Sequence, residues 1–310
     1  MPPIPVILDC DPGTDDAIAL WLALASPALD LRLVAVSGGN VGLATTLANA
    51  RAVVGLAGRA DLPVVAGADR ALLGPFRAAE HVHGADGLAG LRLPEGPPAA
   101  PGLAADAIRQ ALREAPPEGI TLIGLAPPTN LALALATEPA LAGNVARIVL
   151  MGGAWGEGNW TPSAEFNVAN DPEALAVLLA SGRPLTLVPL DLTAQAFVTP
   201  ARVAALAAGP GGACRDAAVA ILRGLPTGPR FGGRGFPLHD PCAVAAVSDP
   251  ALLTLRAAAV AVECGTGPGR GRTHIDRWGR TGADPNAEVA ETLDADAFFA
   301  LLGTRLGALR

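Results

Sequence analysis

Ile4-Pro5-Val6-Ile7-Leu8-Asp9-Cys10-Asp11-Pro12-Gly13-Thr14-Asp15-Asp16-Ala17 is the stretch whose reading decides the fold. The apolar run Ile4 to Leu8 is short and β-prone, which predicts a buried strand. Asp16 to Ala25 follows with a helical pattern. Between them lie Asp9, Asp11, Asp15 and Asp16, four carboxylates within eight positions. Like charges this close repel, and burial would force some of them to take up protons. A hard divalent cation removes the conflict, because Ca²⁺ or Mg²⁺ prefers carboxylate oxygens. The stretch therefore predicts a metal site at the mouth of an α/β sheet. An Asx-type turn and a helix N-cap would account for one or two of the carboxylates, not for four.

The rest of the chain repeats the strand-then-helix pattern. Strands are expected at 5–8, 31–37, 63–66, 121–125, 147–151 and 185–189. Helices are expected near 16–25, 43–57, 103–114, 129–136, 172–181, 200–208 and 216–223. Such alternation predicts a single α/β domain over residues 1–310, with a mostly parallel sheet and helices on both faces. In sheets of this kind ligands bind beyond the carboxyl ends of the strands. The predicted strand ends lead into Asp9–Asp16, Ser37-Gly38-Gly39-Asn40, Ala126-Pro127-Pro128-Thr129-Asn130 and Met151-Gly152-Gly153. Two segments look like excursions or lids: about 67–101, which holds His81, His83 and Asp86, and about 224–238, rich in Gly, Pro and Arg.

Composition narrows the function. The 310 residues are 51% hydrophobic, enough for a large core, yet no run reaches the roughly 18 apolar residues of a membrane span. The net charge is −7 and no basic run exceeds a few residues, which argues against a nucleic-acid partner. The start, Met1-Pro2-Pro3-Ile4-Pro5, lacks the pattern of a signal peptide. The four cysteines lie far apart with no Cys-x-x-Cys pair, so reduced thiols and a cytoplasmic location are expected.

Two further groups carry chemistry. His239-Asp240-Pro241 places a histidine before an Asp-Pro pair, and such a pair is also a routine helix start. The same pair occurs at Asp171, Asp249 and Asp284, so the preceding His239 is what distinguishes it. In Gly158-Asn159-Trp160-Thr161-Pro162-Ser163-Ala164-Glu165-Phe166-Asn167, Glu165 and Asn167 are two apart and would share a side in extended chain. A carboxylate flanked by carboxamides suits the hydroxyls of a sugar. Asp9-x-Asp11-x-x-Thr14 is faintly similar to the nucleophile loop of haloacid-dehalogenase-type phosphatases. Pro12 intervenes, however, and Asp15-Asp16 stand where that family has apolar residues.

Taken in order, Asp9 through Ala17, Met151-Gly152-Gly153, Asn159 through Asn167, Asp171-Pro172-Glu173-Ala174 and His239-Asp240-Pro241 resemble the signatures of the inosine–uridine-type nucleoside hydrolases, over nearly the whole chain. The resemblance implies one bound Ca²⁺ and hydrolysis of the N-glycosidic bond of ribonucleosides. It implies Asp11, Asp16, Asp240 and the Leu125 carbonyl as metal ligands. Asp15, Asn159, Glu165 and Asn167 would bind ribose, with Asn40, Met151 and Asp240 beside it. Asp11 would be the general base and His239 the acid for the leaving group. His83, Phe231, Phe236, Arg230, Trp155 and Trp160 are candidates for the nucleobase side, where relatives often carry a tyrosine this chain lacks. His239 favours a base-tolerant enzyme acting on inosine and uridine over a strictly purine-specific one. A homodimer or homotetramer is expected, and no membrane partner. The rival readings are a nucleoside- or ribose-binding protein without turnover and, more remotely, the phosphatase.

Overall fold

The computed structural model describes residues 2–225 and 233–309. The strands in chain order are β1 (Ile4–Cys10), β2 (Leu29–Val36), β3 (Val64–Ala66), β4 (Arg70–Ala71), β5 (Gly74–Pro75), β6 (Ile120–Gly124), β7 (Val145–Met151), β8 (Leu185–Val188), β9 (Phe197–Val198), β10 (Phe236–Pro237), β11 (Leu253–Val262), β12 (Thr273–Asp276) and β13 (Ala287–Leu293). Nine of them form one sheet in the order β12-β11-β13-β8-β7-β6-β1-β2-β3. From β13 to β3 every pairing is parallel, while β11 runs antiparallel to both of its neighbours. The four remaining strands are two-residue pieces, β4 against β5 and β9 against β10.

Strand β1 shows why the sheet is covered twice. Side chains alternate across a strand. Val6, Leu8 and Cys10 enter one core, with the helices Thr14–Ala25, Leu43–Leu56, Asp240–Ser248 and Ala295–Ala308. Ile7 enters the other, with Leu33 and Ala35 of β2 and the helices Ala104–Glu114, Thr129–Thr137 and Pro172–Leu179. The expected α/β domain with helices on both faces is what the chain forms.

All six expected strands are present, within a few residues of their expected ends. The antiparallel edge β11–β12–β13 was not expected. Residues 254–257 of β11 are all exposed, and the apolar run that follows, 257–262, is mostly alanine. Its Arg-Ala-Ala-Ala stretch also favours helix by propensity. The excursion 67–101 is fastened rather than loose. Leu72 N donates to Asp171 Oδ2 (2.9 Å), Arg77 N donates to Asn170 Oδ1 (2.8 Å), and Ala100 bridges back to Val65. Within it the short helix Glu80–His83 brings His83 against the start of the helix Thr14–Ala25. Of the second excursion, residues 226–232, including Arg230 and Phe231, lie outside the described residues.

Candidate active site

The parallel strands open at their carboxyl ends onto a cavity of about 600 Å³. Its wall includes Asp15, Asn40, His81, His83, Leu125, Met151, Asn159, Trp160, Glu165, Phe166, Asn167, Phe236, His239 and Asp240. Residues more than 200 positions apart therefore share one space. Asp11 and Asp16 are buried and do not line it.

The acidic cluster is built by backbone geometry. Asp16 Oδ1 accepts from Asp11 N (3.1 Å) and its Oδ2 accepts from Gly13 N (3.1 Å), which closes the turn and caps the helix Thr14–Ala25. The plain helix-cap reading is thus correct for Asp16, but Asp16 does more. Oxygens of Asp15, Asp16 and Asp240 lie within 4.8 Å of one another. The carboxyl of Asp16 also makes contact with that of Asp11. Asp240 arrives from the far end of the sequence as the first residue of the helix Asp240–Ser248. Asn40 binds the cluster from β2's end: its backbone N–H donates to Asp11 Oδ2 (2.7 Å) and its Nδ2 donates to Asp16 Oδ2 (2.9 Å). Gly39 makes that approach possible, since a Cβ there would collide with Asp11 Oδ2.

So many buried carboxylates are costly to ionise. Burial and the charge of Asp15 raise Asp16 to about 6. Burial and Asp16 hold Asp11 well above the ordinary carboxylate range, and burial with Asp15 and Asp16 does the same for Asp240. Asp9, whose Oδ1 accepts from Asn130 Nδ2 (2.8 Å), is raised by burial to about 7. Asp11 Oδ1 is buried with no hydrogen-bond partner. An unpartnered carboxylate oxygen beside three crowded carboxylates is the environment that a hard cation satisfies. The Leu125 carbonyl accepts from Asn167 Nδ2 (2.6 Å) and keeps a second lone pair. The donor set fits a divalent cation. The compact group is Asp15–Asp16–Asp240, whereas the sequence put Asp11 with the ligands and Asp15 with the sugar.

Glu165, also on the cavity wall, caps the short helix Phe166–Asn170. Its Oε1 accepts from Asn167 N (2.8 Å), and its Oε2 accepts from Val168 N (3.0 Å) and Gly153 N (3.1 Å). Burial raises its carboxyl to about 7 against those bonds. Asn167 is therefore helical, not in extended chain as expected. It shares the cavity with Glu165 because the cap folds the chain back, not because of strand alternation. Asn167 Nδ2 also reaches the Met151 carbonyl (3.2 Å). Asn159 Oδ1 accepts from Phe166 N (2.9 Å), which leaves its Nδ2 for a ligand.

Two histidines reach the cavity from different directions. His239 Nδ1 lies 2.7 Å from Thr193 Oγ1. His83 Nδ1 lies 2.9 Å from Thr14 Oγ1 and accepts from Thr14 N (3.2 Å). The aromatic candidates divide. Trp160 lines the cavity and packs edge-on to Phe166 (ring centroids 5.3 Å), with His81 beyond it (6.3 Å). Phe236 also lines it. Trp155 does not: it packs against a core cluster, with the Arg277 guanidinium 4.5 Å from its ring centre. Sequence reasoning left Thr14 and Thr193 out of the site. A hydroxyl positioning an imidazole has no spacing signal, because the partners are 69 and 46 residues apart.

A doubly wound sheet with an acidic, hydroxyl-friendly cavity at its carboxyl rim defines a glycoside-cleaving type of α/β enzyme. The chain belongs to the inosine–uridine preferring nucleoside hydrolase family, whose model matches residues 6–300, and it is accordingly an N-glycosyl hydrolase of ribonucleosides. It is 41% identical over 307 residues to a pyrimidine-specific ribonucleoside hydrolase, RihA, of Shewanella woodyi, covering 97% of both chains. RihA of Escherichia coli is 40% identical, with 98% of both chains covered. Among solved structures, a plant nucleoside hydrolase, PpNRh1, superposes with a TM-score of 0.90 at 34% identity, over 99% of this chain and 100% of that one. A purine-preferring ribonucleoside hydrolase of Gardnerella vaginalis gives 0.88 at 30%, over 98% of each. Among the described residues no helix is long and apolar enough to cross a membrane.

Proposed function

We propose that this enzyme is a Ca²⁺-dependent ribonucleoside hydrolase that takes uridine-type pyrimidine nucleosides and inosine. The observation that carries the reading is the convergence of Asp16 and Asp240, from opposite ends of the chain, beside the partnerless Asp11 Oδ1. Asp11, Asp16, Asp240 and the Leu125 carbonyl would hold the ion, with Asp15 beside them. When bound, a divalent cation supplies charge that keeps these carboxylates ionised and lowers the pKa of a water.

The side chains do the rest. Asp15, Asn40, Asn159, Glu165 and Asn167 would engage the ribose hydroxyls, with Met151 and Asp240 beside the sugar. The half-buried carboxylate of Asp15 and the buried one of Glu165 both line the space, suited to positive charge developing on the ribosyl carbon. Asp11 would take the proton of the attacking water as general base. His239, held at Nδ1 by Thr193, would give a proton from Nε2 to the departing base. The uridine-type preference is supported by the pyrimidine-specific relatives near 40% identity.

The test is release of reducing sugar from uridine, cytidine, inosine and adenosine, with and without a calcium chelator. Turnover of uridine and inosine that is lost with chelator and restored by Ca²⁺ is expected. Nucleoside binding without ribose release would refute the reading, as would phosphate release from phosphoesters alone.

A further inference from the structure

We propose that Thr14 is a positioning residue for His83, holding its ring in the tautomer that carries the proton on Nε2, so that His83 meets the nucleobase as a hydrogen-bond donor. This rests on the reading of the cavity as a nucleoside site. The argument is one of donors and acceptors. A backbone N–H can only donate, and Thr14 N lies 3.2 Å from His83 Nδ1. Nδ1 must therefore present its lone pair. Thr14 Oγ1, at 2.9 Å, brings a second donor to the same nitrogen. Thr14 is the first residue of the helix Thr14–Ala25, whose partial positive end disfavours a second proton on the ring. Adding that proton to Nδ1 would also strand a buried N–H. Burial lowers the His83 pKa in the same sense.

Nε2 is the nitrogen left over. No described residue bonds to it, and His83 is part of the cavity wall.

His239 is held differently. Its Nδ1 faces the Thr193 hydroxyl, which can accept a proton there because its own hydrogen can pass to the Leu190 carbonyl at 3.3 Å. Nδ1 of His239 thus tolerates the proton that Nδ1 of His83 excludes. The two histidines therefore differ at Nδ1: that of His83 faces a backbone donor, whereas that of His239 faces a hydroxyl that can bond in either sense.

The experiment is ¹⁵N NMR of the histidine rings in the intact, Ca²⁺-supplemented enzyme, comparing wild type, Thr14→Val and Thr14→Ser. His83 is identified by the signal lost in His83→Gln, and circular dichroism checks folding. Wild type is expected to show an unprotonated Nδ1 and a protonated Nε2. Thr14→Val keeps the backbone donor, so Nδ1 should stay unprotonated, while loss of the hydroxyl should move its shift toward that of a less strongly bonded lone pair and raise KM for uridine about 2- to 10-fold, the worth of one neutral hydrogen bond, with a smaller change in kcat. Thr14→Ser should restore both. A protonated Nδ1 in wild type, or Thr14→Val spectra and KM indistinguishable from wild type, would overturn the proposal. The ring spectra need no substrate. A wild-type enzyme that releases no ribose would therefore count against the nucleoside reading and leave the spectral result to stand or fall on its own.

Discussion

Stripping divalent cations should reverse the way this protein's stability depends on pH. The acidic cluster sets the size of the effect. Asp16 rises from 3.8 to about 6 through burial and the charge of Asp15. At about 1.4 kcal/mol per pKa unit, keeping Asp16 ionised in the folded protein costs about 3 kcal/mol. Its folded pKa lies above its unfolded one. Its contribution is therefore full below about pH 4 and lost as pH rises through about 6; Asp9 extends the loss to about 7. The stripped protein should accordingly melt lower at pH 8 than at pH 5. In a chain of this size about 3 kcal/mol corresponds to a Tm change of about 5 °C, and Asp11 and Asp240 add to it in the same direction. With Ca²⁺ bound the carboxylates stay ionised, and stability is lost on acidification instead. The assay is calorimetry at pH 5 and pH 8, with EGTA and with excess Ca²⁺. The gap between the two curves should widen toward pH 8. A gap that is absent, or larger at pH 5, would refute the idea that these carboxylates share a cation.

Asp11→Ala should abolish turnover and weaken calcium retention together, read by sugar release and by metal content after gel filtration; near-wild-type activity would remove Asp11 from the mechanism. His239→Ala should slow uridine hydrolysis by about 10²–10⁴ and hydrolysis of p-nitrophenyl riboside far less, because that leaving group needs no proton. Equal losses on both substrates would count against an acid role. Gly39→Ala should push Asp11 aside through the Cβ collision and depress kcat with the fold intact by circular dichroism, and an unaffected kcat would contradict the packing described. Asn130→Ala removes the donor to buried Asp9 and should destabilise by about 1–3 kcal/mol in urea melts, whereas a neutral result would mean that Asp9 is held elsewhere.

What the sequence determined alone was local or carried by a run of residue types. The apolar stretch Ile4–Leu8 indicated a buried strand because it is short and rich in β-branched residues. The carboxylates after it advertised their chemistry, since four like charges in eight positions have few neutral explanations. The helix start at Pro172 was legible from capping preferences, and the one expected at Asp16 falls two residues earlier, at Thr14.

Tertiary structure decided whatever depends on contacts between distant segments. It set Asp240 against Asp16, paired Thr14 with His83 and Thr193 with His239, and turned Trp155 away from the cavity toward Arg277 while leaving Trp160 on the wall. It placed Asn167 beside Glu165 through a helix cap where strand alternation had been expected. It also added the antiparallel edge at β11, whose Arg-Ala-Ala-Ala stretch favours helix by propensity. The physical reason is common to all of these. Propensity and patterning act over a few neighbouring residues, whereas burial, hydrogen-bond partners and charge crowding are properties of the packed whole.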